Sequence, residues 1–256
     1  MIAGTPPRWE GDAVVTNGLR KVFSGGFVAV SALDLTVRRG EVFGFLGPNG
    51  SGKTTTIRML CGLLLPTAGK AFVVGHDVST DSEIIRTKIG YMSQKYGLYD
   101  DLTIEENLRF YGTIYGVQGP GARERLAAHL EQLGLTQRRK QLAGNLSGGW
   151  KQRLALACAT AHEPEMLFLD EPTAGVDPAA RRAFWKSIYA LADRGTTVLV
   201  TTHYMDEAER CQRLAFLSRS HLIGVGTVQE ILDQFEQPTI EDVFVELQRR
   251  DEGVAV

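Results

Sequence analysis

The chain has 256 residues, 43% of them hydrophobic, which is enough for a sizeable core in one large domain or two small ones. Its formal net charge of −2 supplies no bulk basic field to hold nucleic acid or an anionic bilayer. Cys61, Cys158 and Cys211 are odd in number and far apart, so they form neither a disulfide framework nor a metal-ligand spacing, and they fit a reducing compartment.

Residues 1 to about 12 carry prolines and glycines and little to bury, and read as a flexible N-terminus with no apolar leader. Apolar, β-branched stretches over 14–22 and 28–37 predict an N-terminal antiparallel β layer, joined by Ser24-Gly25-Gly26 with Phe23 just before the turn. A buried strand is expected over 41–46, a helix over 55–62 closed by Gly62, and short strands over 70–74 and 89–92, the last followed by Gln94. From 95 to about 163 strand signals give way to a helical insertion. Thr103-Ile104-Glu105-Glu106 is a capping box, Leu126, Leu130 and Leu133 share one helix face ahead of Gly134, and a long helix starts near Ser147. Strands return over 166–169 and 197–201 with a helix over 180–192 between them. Continuous apolar strands alternating with helices predict a parallel sheet covered on both faces. Short strands at 214–217 and 221–225, a helix around Ile231-Leu232, a break at Glu236-Gln237-Pro238 and an amphipathic helix with Ile240, Val243, Phe244 and Leu247 complete the chain. The organisation expected is one large domain over 13–235, with the helical insertion inside it, and a C-terminal helix and tail over 236–256. No apolar run approaches the roughly 18 residues of a membrane span, so a membrane role would be exercised through another chain.

Three motifs carry chemistry. Gly47-Pro48-Asn49-Gly50-Ser51-Gly52-Lys53-Thr54 has the spacing of a phosphate-binding loop and lies between a strand and a helix, the context that motif requires. Gly50 and Gly52 let the backbone wrap a phosphate and aim N–H groups inward, and the helix start adds free donors and partial positive charge. Lys53 then reaches the β- and γ-phosphates and the Thr54 hydroxyl coordinates Mg²⁺, with Thr55 completing the nucleotide-binding stretch. The second motif is Leu167-Phe168-Leu169-Asp170-Glu171, an apolar strand ending in two acids. Unpaired buried carboxylates are costly, which predicts a cation or hydrogen-bond donors nearby; the functional reading places Asp170 on Mg²⁺, directly or through water, and has Glu171 polarise the attacking water. The plain alternative is two acids capping the next helix. The third is Leu146 to Arg153, where Ser147 is a good N-cap and Gly148 and Gly149 admit a ligand to a second anion-binding helix start.

With these motifs the sequence, from about 14 to 235, resembles the ATP-binding cassette (ABC) family. The resemblance implies an α/β fold with a RecA-like phosphate-loop NTPase core, ATP and Mg²⁺ as ligands, and ATP hydrolysis. It implies that Ser147, Gly148 and Gly149 belong to the family signature, which binds the γ-phosphate of ATP held by the opposite subunit; Trp150 stands where smaller residues are commoner. Gln94 resembles the glutamine that touches Mg²⁺ and the lytic water. His203 resembles the histidine that contacts the γ-phosphate. Ala174-Gly175-Val176-Asp177 resembles the loop that crosses the dimer interface, and Phe23 resembles the aromatic that stacks on adenine. Partners implied are a second cassette in a head-to-tail homodimer and a separate permease that holds the chain on the cytoplasmic face of the inner membrane. Tyr91 to Tyr99, Leu102 to Leu108 and Pro238 to Phe244 resemble the type-2 exporter branch, which exports drugs and antibiotics. An importer ATPase is the nearest rival. A cassette of nucleic-acid maintenance would carry a coiled coil or zinc modules, a translation-factor chain two cassettes, and a plain phosphate-loop kinase would leave the signature helix unexplained.

Overall fold

The computed structural model describes residues 11–252. The expected flexible segment therefore lies outside the described residues, except at its end, where Asp12 already begins a strand. Strand β1 (Asp12–Val22) pairs antiparallel with β2 (Val28–Leu33) through its second half and with β3 (Thr36–Arg38) through its first. One strand was expected over 28–37; the chain makes two. Ala32 turns to a φ of 45°, and Thr16 of β1 occupies the break. Its hydroxyl donates to Leu33 O at 2.7 Å and accepts from Leu35 N–H at 2.8 Å, replacing ladder bonds that a straight strand would make.

Strand β4 (Val42–Leu46) runs into the phosphate loop and α1 (Lys53–Leu60), which starts two residues earlier than expected. Gly62, at φ 66°, closes it: the Gly62 N–H donates to Met59 O and the Leu63 N–H to Arg58 O. Strands β5 (Ala68–Val73) and β6 (His76–Asp77) extend the antiparallel layer to the order β2-β1-β5-β6, with β3 also on β1. Helix α2 (Ser82–Lys88) then leads into β7 (Ile89–Met92). Neither β6 nor α2 has a readable period: one has two residues, and the other buries only Ile85.

Beyond β7 come helices α3 (Ile104–Ile114), opened by the Thr103–Glu106 capping box, α4 (Ala122–Gln132) and α5 (Gly148–Thr160). Leu126, Leu130 and Leu133 are buried in one cluster with Leu154 and Leu156 of α5. The chain continues through β8 (Met166–Asp170), α6 (Pro178–Ala192), β9 (Thr197–Thr202), the single-turn α7 (Met205–Ala208), β10 (Arg213–Ser218) and β11 (His221–Gly226). Helices α8 (Val228–Phe235) and α9 (Ile240–Glu252) follow. The left-handed Glu236 ends the first, and Ile240, Val243 and Leu247 of the second pack with Phe216 and Ile231.

The central sheet has the order β11-β10-β4-β9-β8-β7, parallel from β10 to β7 with β11 antiparallel at one edge. Alternation explains why its strands are apolar at nearly every position. Phe43, Phe45, Phe168 and Leu199 point to the side that holds Leu19, Val30 and Val37 of the β layer. Val198, Val200, Leu167 and Leu169 point to the side that holds Leu154 and Trp185. Each such side chain contributes roughly 1.5–3 kcal/mol on burial. Strands β4, β8 and β9 all end at one edge, at Leu46, Asp170 and Thr202, and chemistry in such sheets collects at those carboxyl ends. No described helix is long and apolar enough to cross a membrane.

Candidate active site

The loop after β4 is held by contacts that only glycine permits at two points. A Cβ on Gly47 would stand 2.3 Å from Leu217 O, and one on Gly52, at φ 105°, would stand 2.3 Å from Ala29 O in β2. Gly52 thus seats the loop against the antiparallel layer, while Gly50, at φ 82°, has open space where its Cβ would be, on the side where a phosphate would lie. Pro48 is half-buried and Asn49 exposed at the rim; Thr55 is half-buried in the first turn of α1. Ser51 Oγ is buried without a hydrogen-bond partner, an uncompensated polar group of the kind an anionic oxygen would satisfy.

Lys53 is buried, and its Nζ donates to Gly47 O at 2.7 Å and Pro48 O at 3.1 Å and stands 3.6 Å from Glu171 Oε1. Burial pushes its pKa below the ordinary lysine value, with the Glu171 charge pulling the other way. A charged group kept at this desolvation cost suits an anion arriving beside it.

The acidic pair faces the loop. Asp170 Oδ1, almost fully buried, accepts from Thr54 Oγ1 at 3.1 Å and from Thr201 Oγ1 at 2.8 Å. These oxygen donors suit a hard cation such as Mg²⁺, which takes few protein ligands and completes its shell with water and phosphate. No cluster of three His, Cys, Asp or Glu among the described residues could hold a metal ion.

Glu171 has a φ of 48°, a left-handed conformation that costs on the order of 1–3 kcal/mol for a residue with a Cβ. Its Oε2 accepts from Gln94 Nε2 at 3.2 Å, and His203 Nδ1 stands 3.4 Å from the same oxygen without forming a hydrogen bond. Residues from four separate segments therefore converge on one carboxylate: Lys53, Gln94, Glu171 and His203. The helix-capping alternative for the acids does not hold, because Asp177 performs that service for α6, accepting from Ala179 N–H at 3.0 Å and Ala180 N–H at 2.9 Å.

One expectation at the signature stretch needs correction. Ser147 occupies the N-cap position of α5, but its side chain makes no cap hydrogen bond; with Gly148 it lies exposed, leaving the helix start free. Gly149 is needed for packing, since its Cβ would stand 2.8 Å from Ala180 Cβ, whereas nothing lies within 4 Å of one on Gly148. Trp150 is half-buried with the Arg138 and Arg153 guanidiniums 4.7 and 4.6 Å from its ring. Phe23 is 40% exposed, so it is not a core residue; its ring lies 6.5 Å from Phe27, inclined by 24°.

Sequence reasoning missed Thr201 and Glu207. Glu207 is fully buried behind the site. It accepts from the hydroxyls of Thr173 and Thr202, the latter at 2.7 Å, and from Trp185 Nε1 at 3.3 Å. Thr202 Oγ1 in turn accepts the Tyr204 N–H at 3.0 Å, so this carboxylate ties down the backbone on both sides of His203. Nothing in the run Asp206-Glu207-Ala208-Glu209 marks Glu207 as the buried member.

A phosphate loop opening on a parallel sheet, an acidic pair at the end of the neighbouring strand and a free second helix start define an ATP-binding phosphate-loop NTPase. The ABC transporter family profile matches residues 30–174, more than half of the chain. The chain is 46% identical over 252 residues to the "Probable multidrug ABC transporter ATP-binding protein YbhF" of Escherichia coli (strain K12), covering 96% of this chain and 43% of that protein. It is 44% identical over 220 residues to the daunorubicin/doxorubicin resistance ATP-binding protein DrrA of Streptomyces peucetius, covering 86% of this chain and 66% of that one. A solved ATP-binding subunit of an ABC transporter superposes with a TM-score of 0.83 at 29% identity, covering 92% of this chain and 99% of the other. This chain belongs to the ABC transporter family. It spans less than half the length of the Escherichia coli protein.

Proposed function

We propose that the chain is the ATP-hydrolysing subunit of an ABC exporter. Two copies close head-to-tail around two ATP molecules and drive a separate type-2 permease that moves drugs, lipids or similar amphipathic molecules outward. The observation that carries the hydrolytic part is the single carboxylate of Glu171, held among Lys53, Gln94 and His203 at the mouth of the phosphate loop. Phosphoryl transfer to water is mostly positioning and charge neutralisation. Glu171 accepts the proton of the attacking water, and the Gln94 amide holds its Oε2, with the His203 ring 3.4 Å from the same oxygen. Lys53 and the loop N–H groups hold the charge of the β- and γ-phosphates. Thr54 and Asp170 would hold Mg²⁺, which when bound would neutralise further charge on the phosphate oxygens.

The dimer reading is supported by the exposed helix start at Ser147 and Gly148, where the Ser147 side chain makes no cap hydrogen bond and the helix N-terminus offers donors and partial positive charge to an anion. In the dimer it faces the γ-phosphate on the mate, and Asp177 and its loop lie at the boundary. ATP binds the closed pair better than the open one, so binding closes it and hydrolysis releases it. Permease docking is supported by a groove of about 410 Å³ whose walls include Cys61, Ile89, Tyr91 and Tyr115. Leu63 and Ile114 on its lining are exposed apolar side chains. Gln94 and the helices after β7 pass the motion on. Docking there holds the chain on the cytoplasmic face of the inner membrane, with no nucleic acid partner. Export is favoured over import by the relatives, which are named for multidrug and daunorubicin/doxorubicin resistance.

Co-purification from detergent-solubilised membranes tests this reading. A type-2 permease with no solute-binding protein is the expected catch; a stable binding protein in the complex would replace exporter with importer. At the nucleotide, Phe23→Ala is expected to weaken ATP binding by about 1–3 kcal/mol through lost stacking on adenine. Titration of a fluorescent ATP analogue reads it, and unchanged affinity removes Phe23 from the site.

A further inference from the structure

We propose that Thr201 is a positioning residue for hydrolysis: one buried hydroxyl holds both the Asp170 carboxylate and the Glu171 backbone, and so couples the place of the metal to the aim of the general base. The inference rests on the hydrolysis reading above. Thr201 is fully buried in β9, between β4 and β8, and its cross-strand partner is Asp170. Its Oγ1 has one proton to give. Asp170 Oδ1 lies at 2.8 Å and Leu169 O at 3.5 Å, so the proton goes to the carboxylate. The same oxygen accepts the Glu171 N–H at 2.8 Å. That N–H lies just past the end of β8, where the strand ladder no longer supplies an acceptor. The hydrogen bond is therefore what secures Glu171 at its φ of 48°. A continuous chain results: Thr54 to Asp170, Asp170 to Thr201, Thr201 to the Glu171 backbone.

Removing the hydroxyl leaves the Asp170 carboxylate with Thr54 as its remaining hydroxyl donor and the Glu171 N–H without a partner. Glu171 is then free to relax to an ordinary backbone conformation, which carries its carboxylate away from Gln94 and His203. Valine has nearly the shape of threonine, so the fold's packing is kept while the hydrogen bonds are lost.

The full chain is compared as wild type, Thr201→Val and Thr201→Ser. The valine variant is expected to lose about tenfold in kcat, as befits a hydrogen bond to a charged group, with KM for ATP nearly unchanged. Serine is expected to restore kcat. A second readout needs no turnover: Mg²⁺ is titrated against melting temperature at fixed ATP. The Mg²⁺ midpoint is expected to rise about fivefold in Thr201→Val and to return in Thr201→Ser, because Asp170 is no longer held. An unmoved kcat and Mg²⁺ midpoint would overturn the inference, and so would a lower melting temperature in the valine variant with both unchanged. If the wild type itself fails to hydrolyse Mg·ATP, the hydrolysis reading falls, and an unmoved Mg²⁺ midpoint still overturns the Thr201 role. Should the valine variant not fold, Thr201→Cys, similar in size and a weak donor, is read the same way.

Discussion

Glu171→Gln is expected to bind Mg·ATP as the wild type does and to hydrolyse it about 10²–10⁴ times more slowly, the worth of general-base help. The amide has the size of the carboxylate and still meets Gln94 at one end. What it cannot do is accept a proton. It also removes the negative charge 3.6 Å from Lys53 and 3.4 Å from His203, so the repulsion that an ionised Glu171 presents to an incoming triphosphate is lost. Affinity for ATP therefore holds or improves. On the proposed mechanism the closed pair persists until hydrolysis, so crosslinking of this variant under saturating Mg·ATP is expected to trap a dimer that the wild type forms only transiently. A variant that releases phosphate at the normal rate would remove Glu171 from the role of base. Recovery of single chains alone, from a complex that still transports, would remove the sandwich.

Lys53→Met is expected to abolish ATP-dependent stabilisation while leaving the nucleotide-free protein close to its original melting temperature. In the empty loop Lys53 is a buried charge whose pKa burial has pushed down, so its desolvation works against the fold even with Glu171 nearby. Methionine removes that cost and keeps the stem; what is lost is the pair of bonds to Gly47 O and Pro48 O at the mouth of the loop. With nucleotide present the balance reverses, because losing one partner of a desolvated charge pair costs about 2–5 kcal/mol, or about 30-fold to several thousandfold in affinity. Differential scanning with and without ATP reads both halves. A large fall in the nucleotide-free melting temperature would show that Lys53 serves the fold rather than the ligand.

The local parts of this protein were legible as sequence. A phosphate loop needs glycines at fixed offsets, a strand before it and a helix after it, all within about twenty consecutive residues. The capping box at Thr103 and Glu106 and the leucine face of α4 are equally local, and the structure has both. The apolar run of β8 ending in two acids is local in the same way, and the structure places both acids at the mouth of the phosphate loop.

What tertiary structure alone decided are the relations between segments distant in sequence. That β1 splits 28–37 into two strands depends on the Thr16 hydroxyl, a dozen or more positions away. The need for glycine at 149 comes from Ala180 of the next helix, and at 52 from a carbonyl in β2. Thr201 reads in sequence as one more β-branched strand residue, and Glu207 as one acid among several. They acquire meaning when β8 and β9 pair in register and α7 folds back beneath them. The amino-acid sequence by itself determined the loop, the sheet and the family, because each is written in spacings a few residues long. The tertiary structure decided which groups lie against Glu171, the Thr201 hydroxyl and the Gln94 amide among them, because a hydrogen bond has a reach of about 3 Å and sequence carries no record of which strands lie that close.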